Sequence, residues 1–123
     1  MQELARQHPS PILIDQFFRL TWAVVPDPDE YEFVRAPKHQ AETFLETGCL
    51  EGDCDDASVL SSCMLAALGW PNTMTAIRRI GEAEFSHVFT TAYEGGYRVD
   101  IDPIVPAYRM PIRDIAEVMQ VHI

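Results

Sequence analysis

Positive charge is scarce in this chain: 9 Lys and Arg stand against 19 Asp and Glu across 123 residues, a formal net charge of −10. No basic run is longer than the pair Arg78-Arg79. Nucleic-acid binding draws on a basic footprint that displaces counterions, and anionic lipid surfaces attract polybasic segments. The shortage argues against both as partners. Long apolar runs are missing as well. The stretch from Ile12 to Val25 is interrupted by Asp15, Gln16, Arg19 and Thr21, which leaves it too short and too polar to span a bilayer. The opening Met-Gln-Glu-Leu-Ala-Arg-Gln-His has no basic flank followed by an apolar core, so no signal peptide is expected. Cysteine is limited to Cys49, Cys54 and Cys63, an odd number with no tight repeat. Free thiols in a reducing compartment follow, and the expectation is a soluble cytoplasmic protein. Internal repeats, low-complexity tracts and flexible linkers are also lacking, so residues 1–123 read as one domain.

What is present points to a packed core. Hydrophobic residues make up 47% of the chain and aromatics 10%, well above a disordered composition. Ser10-Pro11 has the form of an N-cap and first helical position, and predicts a helix from Ile12 to Val25 that Pro26 stops. A short amphipathic helix is expected from Lys38 to Thr47, ended by Gly48. From Cys54 to Leu68, Ala57, Leu60, Met64, Ala67 and Leu68 recur at helical spacing, with Asp53 as N-cap and Gly69 as the stop. Beyond it the period shortens. Strands are expected at Thr73–Ile80, Phe85–Tyr93 and Tyr97–Asp102, the last two joined at Glu94-Gly95-Gly96. Ile112 to Met119 suggests a short closing helix. Helices first and an antiparallel meander afterwards make an α+β fold.

Within that frame one cysteine stands where chemistry is favoured. A helix N-terminus carries partial positive charge and unpaired N–H groups, which stabilise a thiolate and can hold an acyl-transfer oxyanion. Cys54 occupies that position, whereas Cys63 falls mid-helix in the expected core and Cys49 in the preceding loop. Asp53, Asp55 and Asp56 crowd Cys54, and carboxylates oppose ionisation of a thiol. Activation therefore calls for a histidine. His8 lies in the N-terminal tail, His39 on a surface helix and His122 next to the last residue, all three read as surface; His87 sits inside an apolar strand. If Gly95-Gly96 is a two-residue turn, Asp102 projects to the same face as His87, one diagonal step of about 7–8 Å away. A four-residue turn would set the two opposite each other, and a three-residue loop would put Asp102 on the wrong face. Asp100 shares the face but lies a step further off. Cys54, His87 and Asp102 thus form a candidate nucleophile, base and orienting acid.

These residues resemble a known family. Gly52-Asp53-Cys54-Asp55-Asp56-Ala57 is similar to the Gly-Asp-Cys-x-Asp nucleophile helix of the transglutaminase-like superfamily. Ser86-His87-Val88 resembles its histidine strand, and Gly96-Tyr97-Arg98-Val99-Asp100-Ile101-Asp102-Pro103 its closing aromatic-x-x-x-Asp-Pro element, with Tyr97 where tryptophan is usual. A small phage- and prophage-encoded group shares an upstream pattern, here Asp29-Glu30, Glu32-Phe33-Val34-Arg35-Ala36-Pro37 and Gly48. The likeness covers roughly residues 27–106. It implies a papain-like core and a thiol acyl-transfer scaffold, used by peptidases, amidases and transglutaminases, that takes protein or peptide substrates without a cofactor. It also implies an oxyanion donor upstream of the cysteine, for which Gln40 and Trp22 are the candidates, with Asp53 and Tyr97 in support. A phage origin would imply host cytoplasm or virion as location and phage structural proteins as partners. A catalytically silent binding or assembly module on the same scaffold is the alternative. Metal binding is not expected: Asp53, Asp55, Asp56 and Asp100 lack calcium-loop spacing, and Cys54, His87 and Asp102 lack a zinc-site pair.

Overall fold

The computed structural model describes residues 2–24, 37–104 and 115–123. In chain order these form α1 (Gln2–Gln7), α2 (Pro11–Thr21), β1 (Trp22–Val24), α3 (Pro37–Thr47), β2 (Leu50–Gly52), α4 (Cys54–Ala67), β3 (Thr73–Arg79), β4 (His87–Glu94), β5 (Tyr97–Ile101) and β6 (Ile115–His122). The fold is α+β. One four-stranded antiparallel sheet has the order β5-β4-β3-β6, and β1 and β2 form a separate parallel pair.

Local chemistry explains most of the elements. Ser10 caps α2 by accepting from the Leu13 N–H, and Pro11 opens the helix where no N–H is needed. Ile14, Phe17 and Phe18 turn its buried side inward. α4 is the central helix: Ala57, Leu60, Met64 and Leu65 pack against Ala92, Val99 and Ile101 of the sheet, and Phe17, Phe18 and Leu50 close the same core. Thr90 Oγ1 adds a 3.1 Å hydrogen bond to the Ser58 carbonyl, pinning β4 to α4. Between β4 and β5 the turn has only two residues, Gly95 and Gly96, at φ of 59° and 83°. Both values are left-handed, as a type I′ hairpin requires and as glycine adopts without steric cost.

Three segments differ from expectation, two of them because strand pairing is non-local. α2 ends at Thr21, and Trp22–Val24 runs extended beside Leu50–Gly52. The expected closing helix is a strand over residues 115–122, paired antiparallel with β3 from Arg79↔Ile115 to Thr73↔His122. Helical spacing of Ile115, Val118 and Met119 was outweighed by hydrogen bonding to an open sheet edge. The N-terminal tail forms α1, whose Ala5 is fully buried. His8 is half-buried rather than exposed: its ring stacks on Phe17 at 4.0 Å, and burial lowers its pKa. Cys63 is half-buried, not fully in the core. The Pro26 stop, the upstream 29–36 pattern and residues 112–114 lie outside the described residues. No helix among those described is long and apolar enough to cross a membrane.

Leu60→Ala is expected to cost about 2–5 kcal/mol, because it empties space in the α4–sheet core. Leu20→Ala, at 85% exposure, is expected to change stability by no more than about 0.5 kcal/mol. Urea unfolding of both variants measures the contrast, and similar losses would show that α4 is not the centre of the core.

Candidate active site

Cys54 is the first residue of α4, and the turn that delivers it is tightly determined. Asp53 caps the helix, its Oδ1 accepting from the backbone N–H of Asp55 at 3.1 Å and of Asp56 at 3.4 Å. Asp56 returns the bond, its Oδ2 accepting from the Asp53 N–H at 3.0 Å. This reciprocal capping box uses two first-turn N–H groups on Asp53 and leaves the N–H of Cys54 itself outside the cap. Asp56 is completely buried while doing this. Gly52 makes room for it. Its φ is +138°, and a Cβ there would overlap Asp56 Oδ2 and lie 2.7 Å from Asp56 Cβ. The Gly-Asp-Cys-x-Asp spacing thus has a local physical reason: cap, nucleophile position and returning acid, with glycine required by the close approach.

His87 opens β4 opposite Ile77 of β3, and its ring lies 6.0 Å from that of Phe89. The two-residue turn sets the register Thr90↔Ile101 and Thr91↔Asp100, which puts Asp102 on the His87 face. The pair closes fully: His87 Nε2 donates to Asp102 Oδ2 at 2.5 Å, with the two residues 5% and 2% exposed. Asp102 Oδ1 also accepts from the Ile104 N–H at 3.3 Å, so one carboxylate orients the imidazole and shapes the turn around Pro103. Asp100 is engaged elsewhere, accepting from Thr91 Oγ1 at 2.6 Å and Arg98 Nε at 2.9 Å.

Cys54 also acts on His87. Burial disfavours the imidazolium, but the hydrogen bond to Asp102 and its negative charge, with Cys54 beside the ring, outweigh it and push His87 up to about 9. With Nε2 committed to Asp102, Nδ1 is the ring nitrogen left to face the thiol. Cys54 and His87 line one small pocket of about 250 Å³ with Asp53, Asp55, Phe85 and Ser86. A larger groove of about 1000 Å³ reaches His87 along the sheet, lined by Thr75, Ile77, Phe89, Val118 and Gln120.

A scan against protein-family models and searches of curated proteins and of solved structures found no match to this chain. The chemistry of the site rests on its own residues.

The other residues anticipated from sequence are placed as follows. Gln40, only 1% exposed, holds β2 through both ends of its amide: Nε2 donates to the Glu51 carbonyl at 2.6 Å, and Oε1 accepts from the Glu51 N–H at 3.4 Å. Trp22 Nε1 donates to the Gly52 carbonyl at 3.1 Å. Both side chains therefore brace the strand leading to Cys54. Tyr97 is exposed at the start of β5 and lines the larger groove, not the Cys54 pocket. His39 and His122 are exposed, the latter bonded to Thr73. Among the described residues no group of three or more His, Cys, Asp or Glu is arranged to hold a metal ion. Sequence reasoning missed the brace of Gln40 and Trp22 on β2, because a three-residue parallel pair leaves no periodicity to read. It also missed the larger groove, which needs β6 for one wall.

Two measurements test this geometry. Gly52→Ala is expected to lose about 2–4 kcal/mol from combined backbone strain and overpacking. A loss under about 0.5 kcal/mol in urea titration would mean that the turn relaxes freely. The second is pH dependence. The folded state holds a proton on His87 between its ordinary pKa of 6.5 and about 9, where the unfolded chain has released it. The resulting stabilisation is complete below pH 6.5 and is lost as pH rises through 9. Wild type should lose on the order of 3 kcal/mol across that window, and His87→Gln should flatten the decline; parallel curves would place the proton elsewhere.

Proposed function

We propose that this chain is a thiol-dependent acyl-transfer enzyme on a transglutaminase-like, papain-type scaffold, acting on amide bonds of proteins or peptides. The observation that carries the reading is the buried His87–Asp102 pair acting with a cysteine at the N-terminus of a reciprocally capped, buried helix. In the proposed resting state the thiol proton already sits on His87, and the Cys54 thiolate attacks the substrate carbonyl carbon. The Cys54 N–H, which the Asp53 cap does not use, is the backbone donor for the negative charge that develops on the carbonyl oxygen. As the C–N bond breaks, His87 returns the proton to the leaving amine. Water or a second amine, deprotonated by the same imidazole, then cleaves the thioester and regenerates the thiol. Asp102 holds the ring so that Nδ1 faces sulfur.

A second reading is a silent binding or assembly module on the same scaffold, with phage structural proteins as the partner class that the family resemblance implies. It is favoured by one observation: the Gln40 and Trp22 donors are bonded to the backbone of Glu51 and Gly52, so neither is held ready for an oxyanion.

Alkylation of each cysteine against pH, mapped by mass spectrometry, separates the two. The enzyme reading expects Cys54 alone to react rapidly near neutral pH and His87→Ala to raise its apparent pKa. Cys54→Ala should then abolish turnover of any amide substrate found. A Cys54 no more reactive than an ordinary thiol of pKa about 8.5, and indifferent to His87, would leave the assembly reading standing.

A further inference from the structure

β6 is an outer strand of the sheet, and residues 116–123 are exposed throughout. The other outer strand, β5, differs: it carries Arg98 and Asp100 and has α2 packed beside it. Asn72 and Ile123 exchange both backbone bonds, at 3.2 and 2.8 Å, next to the Thr73↔His122 pair. Antiparallel ladders alternate bonded and non-bonded pairs. The N–H and C=O groups of Val121 and Met119 therefore turn inward to β3, and those of Val118, Gln120 and His122 turn outward from the sheet.

Sheet edges are ordinarily protected by lysine, proline, bulges or inward-facing charge. From Glu117 onward β6 has no such protection among the described residues. It contains no lysine or proline, and the one irregularity of register falls at Arg78/Arg79, beside its start. Its single acid, Glu117, is neutralised by Arg78 at 3.3 Å. In a chain of net charge −10 this edge is uncharged, and it exposes Val118, Met119 and Val121 at 51%, 53% and 57%.

We propose that β6 pairs with β6 of a second copy, antiparallel about a two-fold axis at Gln120, so that one sheet runs through both molecules. That register joins the outward-facing backbone groups of Val118, Gln120 and His122: Gln120 meets Gln120 of the second copy, and Val118 meets His122. Met119 falls opposite Val121 twice over, giving apolar pairs on the face that packs against α4. Glu117 falls opposite Ile123, so the two Glu117 side chains do not meet. The edge closes on itself with matched side chains, and this self-complementarity selects a second copy over a foreign strand. The paired segment is short, so the dimer is expected to be weak and favoured by concentrated protein. Salt should strengthen it by screening the negative charge of the two molecules.

Sedimentation equilibrium over a range of protein and salt concentrations is the test. Wild type should move from 13.9 kDa towards twice that mass as concentration rises. Gln120→Lys and Gln120→Glu each set like charges face to face across the axis and should weaken association by about fivefold or more. An equimolar mixture of the two variants should recover it. Circular dichroism checks that both fold; if either does not, Met119→Thr with Val121→Thr removes the apolar pairs and is read in the same way. Wild type that stays monomeric at millimolar concentration, or a dimer unaffected by these variants, overturns the proposal.

Discussion

Two aspartates, Asp53 and Asp56, bond each other's backbone across the first turn of α4, and much of the molecule is arranged around that exchange. The helix they cap is the one against which the sheet, α2 and β2 all pack, and its first residue is Cys54. A buried helix end must find partners for its orphan N–H groups. Here the Asp53 carboxylate supplies partners for two of them, on Asp55 and Asp56, from within three residues. The cost falls on Gly52, where a side chain would collide with the Asp56 carboxylate.

The candidate site then divides its work between two kinds of order. Helix capping places the sulfur, while hairpin register places the imidazole and its acid. The two meet because Thr90 and Ala92 seat β4 on α4, which brings the start of the strand to the start of the helix. A cation at His87 suits a chain whose composition is strongly acidic. The Asp102 carboxylate supports the imidazolium, and burial of His87 and Asp102 keeps their interaction from being screened by solvent.

Much of this was legible from residue order because its causes are local. The cap at Asp53, the apolar spacing of Ala57, Leu60 and Met64 and the glycine pair at 95–96 each act within a few residues, although Ala67, expected on the same core face, is exposed. The face shared by His87 and Asp102 followed from the turn length alone. What stayed hidden depends on partners far along the chain. Nothing around Trp22 announces pairing with Leu50, and nothing around Val118 announces pairing with Ile77. β6 reads as a helix until the open edge of β3 is known, and the larger groove appears only once β6 forms its wall. The fates of Gln40 and Trp22 were hidden for the same reason, since both are spent on the backbone of a strand that sequence alone reads as loop.

The hairpin carries a consequence for how this chain can vary in length. Gly95 and Gly96 sit at the surface, remote from the sulfur, in the sort of loop tip where insertions are usually tolerated. Here one added residue would turn every side chain of β5 to the opposite face and carry Asp102 away from His87. A deletion would do the same, whereas a two-residue insertion would keep the faces. Among related chains that use this site, the loop should therefore grow or shrink in steps of two, a parity rule set by the pleat of a strand rather than by any contact with substrate.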